Sequence, residues 1–247
     1  MPTGAGKSLC YQIPALMCER LAVVVSPLVA LMDDQVAALK ANGVNAAAIH
    51  SGRSREDNVD DWRKVAAGKV PILYMSPERL MTDRMLNALD QLCVGLFVID
   101  EAHCISKWGA SFRPEYEALS ALSDRFPEAT IGAFTATADT ATQNDISQKL
   151  FRGRGDIIVH GFDRPNLQLC VTPKQRWKAQ LIEFLDQRRG ESGIVYCLSR
   201  RATEETAQLL ESEGHTALPY HAGMEPDARK RNQDSFMTDS GIVMVAT

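Results

Sequence analysis

The segment Leu96-Phe97-Val98-Ile99-Asp100-Glu101-Ala102-His103 decides the fold. Four consecutive apolar residues without polar alternation describe a strand covered on both faces, and the acidic pair after them puts polar chemistry at the strand's carboxyl end. Four runs of the same kind accompany it, at Leu21–Val25, Ala46–Ile49, Ile72–Met75 and 130–134. Helix-period segments such as Val29–Ala41 separate them, which predicts a parallel sheet with helical crossovers. An irregular stretch follows over 151–172, and the pattern resumes near 173: helix 176–187, strand 194–197, helix 203–212, strand 217–220, helix 227–236, strand 242–245. The expected class is α/β, with residues 1–160 as one parallel-sheet domain and 161–247 as the start of a second. No internal repeat, low-complexity tract or heptad pattern is present.

Composition narrows the function. The 247 residues are 45% hydrophobic and 23% charged, enough apolar surface for a core and too little charge for a disordered chain. A net charge of -4 excludes a protein that coats nucleic acid through bulk positive charge, so any such site must be local. None of the six cysteines forms a C-x-x-C pair, which leaves buried free thiols as the expectation ahead of disulfides. No apolar run nears the roughly 20 residues that span a bilayer, and no charged and apolar leader opens the chain. The reading places it in the cytoplasm, nucleoid-associated if the source is bacterial, with no membrane partner.

Three stations carry chemistry. Thr3-Gly4-Ala5-Gly6-Lys7-Ser8 matches the second half of the phosphate-binding pattern G-x-x-x-x-G-K-[ST], with Met1 in place of the first glycine. Gly4 and Gly6 let backbone N–H groups approach phosphate oxygens, and the helix that follows offers its positive end. Lys7 would reach the β- and γ-phosphates of ATP, and the Ser8 hydroxyl would ligate Mg²⁺; the plain alternative is a glycine-rich turn with an exposed lysine. Asp100 suits a metal-holding carboxylate and Glu101 a group that polarises an attacking water, against a structural use of both acids at a helix start. His103 reads as a coupling residue at the domain interface or as a satisfied surface histidine. Phe134-Thr135-Ala136-Thr137-Ala138 ends another strand; Thr135 and Thr137 are candidates for contact with the acidic loop, while Thr137 or Asp139 would serve equally as helix caps.

In this order the stations resemble superfamily 2 helicases, and the residues between them resemble the RecQ type of DNA helicase. They include Ser26-Pro27-Leu28 with Leu31-Met32-Asp33-Asp34-Gln35, Ser76-Pro77-Glu78-Arg79, Gly161-Phe162-Asp163-Arg164-Pro165-Asn166-Leu167, Val195-Tyr196-Cys197-Leu198-Ser199-Arg200 and Tyr220-His221-Ala222-Gly223-Met224. The resemblance implies two RecA-like parallel-sheet domains of the P-loop NTPase type, the first lacking its first strand and the second incomplete, in an internal piece of a longer chain. It implies ATP and Mg²⁺ as cofactors, and ATP-dependent 3′-to-5′ translocation on DNA and unwinding in repair or recombination, with single strands and duplex junctions as partners. No protein partner is implied.

The most particular segment is Cys104-Ile105-Ser106-Lys107-Trp108-Gly109-Ala110-Ser111-Phe112-Arg113-Pro114-Glu115-Tyr116, similar to the aromatic-rich loop of that family. Trp108 and Phe112 offer faces on which unstacked bases can rest and Arg113 adds positive charge, whereas core plugs are the structural alternative. Where the family has a His-Asp pair this chain has Ala110-Ser111. Ser76, in a strand-to-helix turn, and Arg200, at a helix start, are further candidates for contact with a nucleic-acid backbone; ordinary turns and a solvated basic pair are the alternatives. His221 is read as a core or cap histidine or a strand contact. The family's glutamine motif and its arginine-bearing final motif do not lie within 1–247, so weak turnover is expected of this chain. The rival readings are an RNA helicase of the same superfamily and a catalytically silent nucleic-acid-binding fragment.

Overall fold

The computed structural model describes residues 4, 6–106, 113–159 and 166–247. They divide into two compact units, Met1–Asn166 and Leu167–Thr247. The first unit is built on β1 (Leu21–Val25), β2 (Ala46–Ile49), β3 (Ile72–Met75), β4 (Val94–Ile99) and β5 (Thr130–Ala133), in the order β2-β3-β1-β4-β5 with every ladder parallel. Its helices are α1 (Lys7–Met17), α2 (Val29–Ala41), α3 (Arg55–Ala66), α4 (Pro77–Leu80), α5 (Asp83–Leu89), α6 (Pro114–Ala118), α7 (Leu122–Arg125) and α8 (Thr140–Phe151).

Continuous hydrophobicity has the expected cause. Val23, Val25, Leu73, Met75, Phe97 and Ile99 point into one apolar layer, while Ala22, Val24, Ile72, Tyr74 and Val98 point into the opposite one. β1, β2, β3 and β4 therefore each serve two cores, whereas β5 packs on one, through the half-buried Ile131 and Ala133. At about 1.5–3 kcal/mol per large side chain fully removed from water, the paired layers dominate the favourable side of folding.

The second unit has β6 (Gly193–Tyr196), β7 (Thr216–Tyr220) and β8 (Ile242–Ala246) in the order β6-β8-β7, again parallel, with α9 (Trp177–Asp186), α10 (Arg200–Ser212) and α11 (Pro226–Thr238). Leu185, Ala207, Leu210, Ala217, Val243 and Val245 form its core. The α/β class and the parallel connections hold; the expectation of a doubly covered strand at 130–134 does not, since β5 is an edge strand and carries no fully buried residue, and further differences lie at element ends. Helix α10 starts at Arg200 rather than 203, because the Ser199 hydroxyl accepts from Ala202 N at 3.2 Å and caps it there.

The cysteines correct one expectation. All six are free, but only Cys104 is buried; Cys197 is half-buried, and Cys10, Cys18, Cys93 and Cys170 are exposed. The exposed ones sit on the outer face of α1, at element ends or in the irregular 151–172 stretch, where no apolar layer covers them. Among the described residues no helix is long and apolar enough to cross a membrane.

Candidate functional site

The site grows from the parallel register. Ser26 N donates to Met75 O at 3.1 Å, Asp100 N to Val25 O at 2.9 Å and Phe134 N to Ile99 O at 2.8 Å. These bonds extend the ladders one residue past the strands. Ser76, Ser26, Asp100 and Phe134 are thereby delivered side by side at one carboxyl edge, the position at which open α/β sheets take ligands.

Glu101 is one of two described non-glycine residues in the left-handed region, at φ 48° and ψ 44°. That conformation costs on the order of 1–2 kcal/mol. It turns the chain out of β4, and Ala102 N then bonds Phe134 O at 2.9 Å. The strained turn leaves Glu101 with Oε1 3.9 Å from Lys7 Nζ and Oε2 3.2 Å from His103 Nδ1. His103 Nδ1 also lies 2.9 Å from Thr135 Oγ1. The Thr135 hydroxyl also lies 3.2 Å from both Thr137 O and Thr137 N, the latter donating to it. Lys7, Glu101, His103 and Thr135 thus form one connected polar line across three elements.

Asp100 is anchored beside it. Its Oδ1 accepts from Glu101 N at 3.0 Å, and its carbonyl accepts from the hydroxyl of Tyr116 at 2.9 Å. Burial pushes its carboxyl above the usual range and the Glu101 charge adds to this, while the Glu101 N–H, Lys7 and His103 oppose it. A buried carboxylate in need of positive charge is what a divalent cation would satisfy. Among the described residues no group of three or more His, Cys, Asp or Glu could hold a metal alone. One carboxylate and the Ser8 hydroxyl suit Mg²⁺, which takes much of its shell from water and phosphate.

Helix α1 begins as an anion site should. Its N-cap is Gly6 at φ 77°, with no side-chain cap and no acid in the first turn. Helices α3, α5, α8 and α10 are capped by Ser54, Thr82, Asp139 and Ser199, whereas α2 and α9 also lack both a side-chain cap and a first-turn acid; the left-handed glycine at the N-cap is what sets α1 apart from them. Gly4 also has positive φ, 81°. Beside Lys7 a cleft of about 680 Å³ runs along β5, lined by Phe134, Thr135, Ile146, Phe151 and Val159 among others. This is ample for a small ligand.

The remaining candidates are dispersed. Thr3, Ala5, Trp108 and Phe112 lie outside the described residues. Arg113, at the start of α6, donates to Pro27 O at 3.4 Å. Ser76 is at the right edge but 8% exposed, its carbonyl accepting from Arg79 and Leu80 as α4 starts. Thr137 is exposed; Asp139, not Thr137, caps α8, accepting from Thr142 N at 2.8 Å. In the second unit Arg200 is exposed and its guanidinium lies over Gly223, where a Cβ would come within 3.0 Å of it. His221 is buried: Nδ1 accepts from Gly223 N, so Nε2–H donates to Glu204 at 2.8 Å. Tyr116 and Gln35 were quoted from the sequence only as parts of longer segments, with no role of their own, and Gln12 and Tyr74 were not named. The signal available for them was polar atoms on otherwise core-facing positions.

Comparison with known proteins places this geometry. The model of the DEAD/DEAH box helicase family matches residues 1–146, and that of the helicase conserved C-terminal domain matches 177–247. The chain is 45% identical over 247 residues to ATP-dependent DNA helicase RecQ of Haemophilus influenzae, with all of this chain and 40% of that protein covered. It is 44% identical to the RecQ helicase of Pasteurella multocida, of which 39% is covered, and 39% identical to that of Bacillus subtilis, of which 42% is covered. In each case the whole of this chain is matched, so it spans about two-fifths of the length of these relatives.

Proposed function

Because the chain belongs to the DEAD/DEAH box helicase family, we propose that it is the ATP-hydrolysing core of a RecQ-type DNA helicase. The observation that carries this reading is the line Lys7–Glu101–His103–Thr135, which joins a phosphate-type helix start to an acidic pair at the carboxyl edge of a parallel sheet. Mg²⁺-ATP supplies a phosphoryl group open to attack by water, and the rest of the chemistry is positioning and charge. Gly4 and Gly6 admit phosphate oxygens to backbone N–H groups. Lys7 exchanges its 3.9 Å contact with Glu101 for the terminal phosphate and neutralises the charge that develops there. Ser8 and Asp100 would hold the Mg²⁺. Glu101, released from Lys7, accepts a proton from the attacking water. His103 registers the change at Glu101 and passes it to Thr135 at the end of β5.

The division of labour extends to nucleic acid. Residues 1–160 are proposed as the ATP-binding RecA-like domain and 161–247 as the beginning of the second. Trp108 and Phe112 would stack on bases of a single strand, with Arg113 and Ser76 on its backbone; in the second unit Arg200 is proposed by itself as a nucleic-acid phosphate contact. Movement would follow the 3′-to-5′ polarity of the family, at single strands and junctions that arise in repair and recombination. The three relatives are named as DNA helicases, which favours DNA over RNA. The test is binding of a fluorescent ATP analogue with Mg²⁺ by this chain and its Lys7→Ala variant, with DNA and RNA single strands as competing ligands. Binding that needs Lys7 and a preference for DNA are expected. Equal nucleotide affinity in the variant overturns the nucleotide assignment, and a preference for RNA overturns the substrate.

A further inference from the structure

The interior between α1, β3 and α2 holds a polar group of side chains that the reading above leaves unused. Gln12, on α1 one turn beyond Ser8, is 8% exposed. Its Nε2 commits both protons: one to Gln35 Oε1 on α2 at 3.1 Å, the other to the Tyr74 hydroxyl on β3 at 3.0 Å. Tyr74 is 1% exposed, and the buried Tyr11 belongs to the same layer. Around them the layer is apolar: Ala15, Val24, Met32, Val36, Ala48 and Ile72. A leucine at position 12 would fill such a layer with no polar group to desolvate. The amide is therefore conspicuous, and it fixes α1 to α2 at a defined length and angle, which apolar packing does not do.

What the link joins gives it meaning. Helix α1 starts at Lys7 and Ser8, and α2 starts at Val29 directly after the Ser26-Pro27-Leu28 turn. Arg113, at the start of α6, bonds the Pro27 carbonyl in that turn. A shift of α1 on phosphate binding cannot leave Gln35 behind without exposing unpaired donors in an apolar interior. We propose that Gln12, Tyr74 and Gln35 form a positioning relay that couples nucleotide occupancy at the start of α1 to the Ser26–Leu28 turn and, through the bond of that turn to Arg113, to the grip of Arg113 on a nucleic-acid strand. This inference rests on the function proposed above and adds the route by which its two ligands communicate. Gln12 and Gln35 act in this reading through the elements they join and not as ligand contacts.

The experiment measures linkage in the 247-residue chain. The dissociation constant of Mg²⁺ with a non-hydrolysable ATP analogue is read with and without a saturating oligo-dT strand, and melting temperature is recorded in parallel. Wild type is expected to show a ratio of about five-fold or more, within the usual range for coupled sites. Gln12→Met and Gln35→Met keep the side-chain length and remove the link; each should bring the ratio towards one while either ligand alone binds within about three-fold of wild type. Gln35→Glu retains an acceptor for the Gln12 amide and should keep the coupling, a rescue that a merely structural role does not predict. Should Gln12→Met fail to fold, the partly exposed Gln35 pair decides the matter. A wild-type ratio in both methionine variants, or a wild-type chain that binds both ligands with a ratio of one, overturns the relay. A wild-type chain that binds neither ligand overturns the functional reading itself, and the relay with it.

Discussion

Tyr116→Phe isolates one hydrogen bond at the heart of the site. Tyr116 is completely buried, and its hydroxyl donates to the carbonyl of Asp100 at 2.9 Å. The substitution keeps the ring, so no cavity opens in the layer formed with Leu119, Leu122 and Ile105. What is lost is a bond worth about 1 kcal/mol net, together with the cost of leaving a buried carbonyl short of a partner, for a total of about 1–3 kcal/mol. At about 2–4 °C per kcal/mol for a chain of this size, a central loss of ~2 kcal/mol lowers the melting transition of the first unit by about 4–8 °C. Tyr116→Ala is the contrast, since removing the ring adds a cavity and costs about 3–5 kcal/mol. A second readout is functional: the freed Asp100 backbone should weaken Mg²⁺-dependent nucleotide binding more than metal-free binding. Thermal unfolding by circular dichroism and a nucleotide titration with and without Mg²⁺ check both. An unchanged melt together with an unchanged Mg²⁺ dependence would refute the claim that this hydroxyl holds the acidic turn.

Three further outcomes follow from the charges. Asp100 has a proton affinity raised mainly by burial, so its ionised form at neutral pH opposes folding, a cost that vanishes as the pH falls below the ordinary carboxylate range. Asp100→Asn should therefore melt higher than wild type at pH 7, with the gap closing towards pH 4, while losing Mg²⁺-dependent nucleotide binding; a lower melt at pH 7 would contradict the burial argument. Glu101→Gln should hold nucleotide affinity within a few-fold and cut any measurable hydrolysis by about 10² to 10⁴, because the amide keeps the shape but accepts no proton; parallel loss of binding would make Glu101 structural. Asp61 runs in the opposite direction: burial works against its charge, but hydrogen bonds and charges from Arg53 and Lys64 prevail and hold its carboxyl below the usual range. Its contribution is present above about pH 4 and lost as pH falls through the lowered value, so Asp61→Asn should flatten the acid arm of the stability curve, read by urea titrations from pH 6 to pH 3.

Much of the fold was legible because its signal is local. Leu21–Val25, Ala46–Ile49 and Ile72–Met75 match the observed strands residue for residue, since an uninterrupted apolar run bounded by polar turns leaves few alternatives to a doubly covered strand. Ends were less legible. The β4 strand begins at Val94, two residues before the apolar run, because Leu21 and the bonds of β1 extend the ladder there. The cysteines misled for a related reason: residue type predicts burial on average, whereas a place on the outer face of α1 or past an element's end is decided by packing.

Within the site, the sequence by itself determined which residues carry charge and at which chain positions they sit. Gly6 and Lys7 at a helix start, Asp100 and Glu101 after a buried strand, and Thr135 after another could be named from spacing alone, because each follows its own strand or opens its own helix. Tertiary structure decided what those residues do to one another. The left-handed turn at Glu101 aims its carboxylate at Lys7 and His103, 94 and 2 positions away in the chain, and His103 reaches Thr135 across 32 residues. Tyr116 on Asp100, and Gln12 between Tyr74 and Gln35, are likewise contacts between separate elements. A hydrogen bond depends on distances of a few tenths of an ångström, and those distances are set by strand order and helix packing, which no pattern of residues along one strand or helix encodes.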